Sequence, residues 1–222
     1  ILAIGVYITY KVLDFADLTV DGSLATGGAV AVMCMLNGAN TYVALILAFL
    51  AGMLAGLVTG LFHTALGIPP ILAGILTQLG LYSINMRIMG KANQAISVMQ
   101  YDVLVSLRYI PHACLLTTGF CIVIIALLYW FFGTEIGASV RATGCNPNMA
   151  RAQGINTNAT KVLGLVISNG LVGLAGALYA QYQGSADINM GRGAIVIGLA
   201  AVIIGEVVFG KIFHNFALHM VA

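Results

Sequence analysis

The chain has 222 residues, of which 60% are hydrophobic and 7% charged, with a mean hydropathy of +1.01. So few charges cannot cover a soluble globule, and the charged residues fall outside the long apolar runs, as a membrane protein requires. A formal charge of +2 is too small to suggest nucleic acid as a partner.

The sequence opens at Ile1 without a Met and stops inside an apolar run at Ala222. It therefore reads as one transmembrane domain, residues 1–222, cut at both ends. Residues 1–10 lack the basic leader and cleavage site of a secretory signal. Cys34, Cys114, Cys121 and Cys145 form no C-x-x-C, and His63, His112, His214 and His219 are scattered, so no metal is assigned. Cys145, in a polar loop, is expected to be the most reachable thiol.

Residues 1–13 read as the end of a span. They lead into D-F-A-D-L-T-V-D-G-S, where Asp14, Asp17 and Asp21 bring three acids close together. Composition fits a solvated loop; the sharper reading is a broken membrane helix, with Asp21, Gly22 and Ser23 starting a new helix through Leu36 whose amide-rich end faces a polar cavity. After the turn N-G-A-N, a span over residues 42–62 carries Ala48, Gly52, Gly56 and Gly60 four apart, a ridge that lets a neighbouring backbone approach closely.

A span over residues 71–86 has Gln78 and Asn85 on one face, suited to cross-helix hydrogen bonds or to lining a pathway. Residues 87–110 read as a polar connection holding Lys91, Asp102 and Arg108, with Val103, Leu104 and Leu107 on one face of a surface helix. Residues 113–132 form an apolar span ending in Tyr129 and Trp130 at an interface.

Residues 135–155, E-I-G-A-S-V-R-A-T-G-C-N-P-N-M-A-R-A-Q-G-I, are polar between two apolar runs. Local signals predict one short helix over residues 138–143 stopped by Gly144, and a second capped by Asn146, started by Pro147 and stopped by Gly154. Arg141 and Arg151 make this knuckle cationic, and Val140, Met149, Ala150 and Ile155 offer apolar contact. The residues alone fit both an ordinary interhelical loop and a docking element.

A return span over residues 162–182 buries Asn169. S-A-D-I-N-M-G-R-G then ends one helix and starts another at Ala194, resembling the start near Asp21 as two copies of a discontinuous helix would. Glu206 reads as an interfacial anchor or a transport carboxylate. No G-x-x-x-x-G-K-[ST], serine elbow, carboxylate pair or metal array is present. An enzyme is the least favoured class.

The window G-x-S-x-R-A-T-G-x-N-P-x-x-A-R-x-x-G-I is similar to the cytoplasmic loop of permease subunits of ABC importers of the branched-chain amino acid and ribose type, and the likeness continues through Lys161, Ser168, Gly170, Gly173 and Gly176. D-L-T-V-D-G and I-I-G-E-V-V-F-G most resemble the tryptophan/tyrosine importer subgroup. The resemblance implies an all-α, polytopic transmembrane helical bundle with discontinuous helices and a cytoplasmic coupling-helix loop, as in type II ABC importer permeases. It implies ATPase coupling through Arg141, Gly144, Asn146, Pro147, Ala150, Arg151 and Gly154. The candidate pathway or helix-start residues are Asp17, Asp21, Gly22, Gly191 and Gly193.

Implied partners are an ABC ATPase subunit holding ATP and magnesium, an extracytoplasmic binding protein, a second copy or similar permease, and the bilayer. No cofactor is implied in this chain, and the location is the cell membrane. Basic residues on the two polar loops tie, so orientation also follows from the resemblance. An amino acid is the expected cargo; an ion-coupled secondary transporter is the alternative, motivated by Asp17, Asp21, Glu206 and the broken helices.

Overall fold

The computed structural model of the protein describes residues 1–96 and 110–209. Nine helices lie within them: α1 (Leu2–Tyr7), α2 (Thr19–Leu36), α3 (Thr41–Thr64), α4 (Pro70–Met89), α5 (Ile110–Gly133), α6 (Glu135–Cys145), α7 (Pro147–Ala152), α8 (Thr157–Gln183) and α9 (Ala194–Phe209). Five helical segments are long and apolar enough to cross a membrane: α2, α3, α4, Leu115–Gly133 of α5, and α8. Leu54, Leu79, Trp130 and Ile197 are each more than 60% exposed, as side chains turned toward lipid are.

The spans form where continuous apolar runs meet strong end signals. Pro70 at the first position starts α4 and Gly90, at φ +66°, ends it. Arg87 therefore lies inside α4 rather than in the polar connection expected from residue 87. Asn156 caps α8 by accepting from the Asn158 and Ala159 amides, so that helix begins before the expected residue 162. The surface helix expected around Val103, Leu104 and Leu107, with Asp102 and Arg108, lies outside the described residues, as do Lys211, His214 and His219 and the side chains of His112 and Cys114.

α8 is the central helix, packed along α3 and α2 and touching α1, α6 and α7. Small residues make this possible. The predicted ridge on α3 faces α8: a Cβ on Gly52 or Gly56 would collide with the carbonyl of Asn169 or Leu165, and Ala48 is wholly buried. On the other side of α8, Gly173 lies against Gly27 of α2 and Gly176 against the Leu24 carbonyl. Such backbone-to-backbone packing supplies dispersion contact where water provides no drive for helices to associate.

Two features depart from the expected all-helical layout. Asn93–Ala95 (β1) pairs antiparallel with Ser185–Asp187 (β2), Gln94 standing opposite Ala186, a short ribbon at the far end of α8. And α1 continues as a π-helical segment, Ile8–Val12, before the chain leaves helical geometry. Single π-turns of this kind are uncommon and gather at functional sites.

Cys145 is exposed, whereas Cys34 and Cys121 are partly buried. A maleimide added to native membranes is accordingly expected to label Cys145 well ahead of the other two. Equal labelling of all three would contradict this placement.

Candidate functional site

The chain break after α1 lies beside the middle of α8. Asp14 there adopts φ +53°, a left-handed conformation that Asp tolerates better than most residues. Asp14 is exposed, but Asp17 is only 2% exposed, so the solvated-loop reading fails for the acid that matters most. One Asp17 carboxylate oxygen accepts from the Thr19 amide at 2.9 Å; the other accepts from Asn169 Nδ2 at 2.6 Å. Asn169 Oδ1 accepts from the Ser23 hydroxyl at 2.6 Å. The break is thus satisfied internally, the condition under which irregular backbone persists at membrane depth.

α2 starts at Thr19, two residues before the expected Asp21, because Asp17 supplies the capping oxygen. Asp21 instead sits in the first turn of α2 and serves the other discontinuous helix. Its carboxylate accepts from the backbone amides of Gly193, at 3.1 Å, and Ile195, at 2.9 Å, at the start of α9. A negative charge there meets both the unpaired amides and the positive end of the helix dipole. Gly191 packs against the Asp21 carbonyl and Gly22 against Gln78 and Leu81 of α4. Asp17 thus sits at the start of α2, Asp21, Gly191 and Gly193 meet at the start of α9, and Gly22 lies in α2 against α4.

A cavity of 110 Å³ opens at this junction, lined by Asp21, Gly22, Gln78, Tyr82, Asn85, Asn189 and Arg192 among others. Gln78 and Asn85 thus line one small cavity together. A second polar cluster, the hydroxyls of Thr19, Thr59 and Thr77 linking α2, α3 and α4 at 2.7 and 2.9 Å, had no signature in the sequence, where threonines look alike. Glu206 forms an ion pair with Lys11, both side chains nearly half exposed, which fits the anchor reading.

The knuckle consists of α6 and α7. Thr134 caps α6, accepting from the Gly137 amide at 3.3 Å, so the helix begins at Glu135, before the expected residue 138. It also runs through Gly144 to Cys145: Gly144 is no stop, but the point where α6 touches the break, since a Cβ there would strike the Val12 carbonyl. Asn146 and Pro147 act as expected, the Asn146 side chain accepting from the amides of Asn148 and Met149 at 3.1 Å each. Gly154 ends the unit at φ +83°, which a β-branched residue adopts only under strain.

Val140 and Ala150, expected to offer apolar contact, are buried within the fold. The outward apolar side chains are Ile136 and Met149, 55% and 59% exposed, and Ile155 is half-buried. Arg141 is exposed; Arg151 is exposed and donates from Nε to the Thr157 hydroxyl at 2.8 Å, tying the knuckle to the start of α8.

The described residues thus form a multi-helix membrane body in which Asp21 of one broken helix caps the start of the other and a polar knuckle packs on one of the breaks, an architecture suited to a transmembrane transport subunit. The chain belongs to the family described as branched-chain amino acid transport system / permease component, whose pattern matches residues 1–221. It is 43% identical to a tyrosine transport system permease protein of Clostridioides difficile (strain R20291) over 95% of this chain and 70% of that one. An uncharacterized protein of Rickettsia prowazekii (strain Madrid E) is 37% identical over 97% of this chain and 75% of its own length. The autoinducer 2 import system permease protein LsrC of Yersinia pseudotuberculosis is 29% identical over 93% and 58%.

No solved structure matches the chain significantly. The protein is a multi-pass permease subunit of an ABC importer in the cell membrane. The ion-coupled alternative finds no support among these relatives.

Proposed function

We propose that this permease carries an amino acid, tyrosine or a close relative, and that a separate ATPase subunit seats on residues 135–155. The observation that carries the coupling half is the shape of the knuckle. Its two helices are fixed by side-chain caps and by the tie from Arg151, and they leave Met149, Ile136 and Arg141 exposed. A rigid, cationic surface with apolar tips suits a groove on a partner, and rigidity keeps the entropic cost of docking low. Within the coupling set, Arg141, Arg151 and Asn146 stand at the surface, whereas Gly144, Ala150, Pro147 and Gly154 shape the unit.

The cargo half rests on the 43% identity to a relative named for tyrosine transport. ATP and magnesium belong to the partner ATPase, an extracytoplasmic binding protein delivers the solute, and two permease copies enclose the pathway. Closure of the ATPases moves the knuckle and rocks the helices between outward and inward openings.

Met149→Asp tests the docking surface without touching the core. The variant is expected to reach the membrane in parental amounts yet retain less than about a tenth of the co-purifying ATPase, since truncating or charging a central apolar anchor costs about 2 kcal/mol or more. Undiminished recovery of the ATPase would remove Met149 from the interface.

A further inference from the structure

A groove of 520 Å³ lies between α3, α5 and α8. Leu45, Ile124, Leu128 and Leu171, each at most 6% exposed, form its deep wall, and Ile46, Val123, Leu127 and Trp130, each more than 55% exposed, form its rim. All of them belong to segments long and apolar enough to cross a membrane, so the groove lies at membrane depth. At a rise of about 1.5 Å per residue, the stretch of α5 from Phe120 to Phe131 runs about 16 Å, half of the roughly 30 Å hydrocarbon core. The groove therefore has the length of one leaflet.

Its chemistry separates it from every helix seam described above. The joints of α8 with α2 and α3 are made by glycines, so that backbone meets backbone. Here the fourteen lining residues are all Val, Leu, Ile, Phe, Tyr or Trp. None is small enough to let a partner helix approach closely, and none carries an amide or a charge to hold it, the two devices by which helices associate in lipid. Water is no better suited, since an ordered water needs about two to four polar partners. The side-chain polar atoms of the lining belong to Tyr42 and Trp130, both exposed.

We propose that one acyl chain of a membrane phospholipid occupies this groove and serves as the packing between α5 and α3. A flexible hydrocarbon chain follows a wall of branched and aromatic side chains and gains the dispersion contact that an unfilled slot forfeits. The position gives the lipid a mechanical role. α5 ends at Gly133 and leads through Thr134 straight into α6 of the knuckle. A fluid chain behind α5 lets that helix shift against α3 without parting a backbone contact, which the glycine seams do not allow.

The test uses the assembled transporter, purified in mild detergent and washed with excess detergent, with bound phospholipid counted by native mass spectrometry. The parent is expected to retain about one phospholipid per permease chain, as a groove of this size holds a single ligand. Val123→Trp places an indole in the slot and is expected to retain less than about a fifth as much. Ile46→Trp, on the α3 wall, repeats the measurement if that variant fails to fold. Leu54→Trp, exposed on α3 but outside the groove, is expected to retain lipid like the parent.

The assignment is overturned if the washed parent holds no phospholipid, if a folded groove-filling variant holds as much as the parent, or if Leu54→Trp loses lipid equally. A second copy of the chain seated in the groove would instead give disulfide cross-links between permeases through Val123→Cys in native membranes, with the native cysteines replaced by Ala, and that result overturns it too.

Discussion

Gly27→Val yields almost no folded protein in the membrane. Its Cβ would fall on the Gly173 carbonyl oxygen, well inside van der Waals contact, and the obstacle is backbone, not a side chain that can swing away. Nor can α8 retreat, because its opposite face is held by Gly52 and Gly56 of α3 against the Asn169 and Leu165 carbonyls. Overpacking in a yielding core costs about 1–3 kcal/mol. A site braced on both sides belongs in the exceptional class above about 4 kcal/mol, comparable to the whole stability of many domains. The check is the yield of monodisperse protein in mild detergent and its melting temperature. Gly80→Ala provides the contrast: nothing lies within 4 Å of a Cβ there, so the change is expected to be neutral or to stabilise α4 by up to about 1 kcal/mol. Parental yield and melting temperature for Gly27→Val would refute the account of the α2–α8 interface.

The second large effect concerns the break itself. Asn169→Leu removes the donor to one Asp17 oxygen and the acceptor for Ser23 in one step, leaving Asp17 held by the Thr19 amide alone. Leaving a buried hydrogen-bonding group without its partner costs about 1–3 kcal/mol each, more where the group is charged. The double variant Asp17→Leu/Asn169→Leu removes both ends of the bond, and it is expected to be more stable than Asn169→Leu alone despite carrying one more change. Thermal unfolding of the parent, Asp17→Leu, Asn169→Leu and the double variant decides the matter. A double variant as unstable as the sum of the two single changes would show that the pairing carries no coupling energy.

What the sequence made legible was whatever is specified locally. Asn146 and Pro147 declare a helix start, Gly154 declares a stop, and Ala48, Gly52, Gly56 and Gly60 declare a packing face by period alone; the structure agrees with each. Two broken helices were readable because D-L-T-V-D-G and N-M-G-R-G interrupt apolar runs with charge and glycine. That Asp21 caps the helix at Ala194 was not readable, since the bond spans 172 positions and nothing near Asp21 points to its partner. Gly144 misled for a related reason. A glycine near a helix end signals a stop locally, and only the packed Val12 carbonyl shows that it is there for want of a Cβ. The burial of Val140 and Ala150 was invisible for the same reason, because an apolar residue in a short amphipathic unit does not say which neighbour it faces.

The contact of Gly144 with Val12 has a mechanical consequence. Most joints between helices are cushioned by side chains that can change rotamer and absorb an ångström of travel. Here main chain rests on main chain, at the last turn before α1 gives way to the break. A push on α6 is therefore delivered undamped to the Val12–Leu13 peptide, and from there the short path through Asp17 leads to the origin of α2. Under the proposed coupling, the knuckle would act as a short, stiff pushrod bearing on the hinge, and a stroke of small amplitude would reach the start of α2.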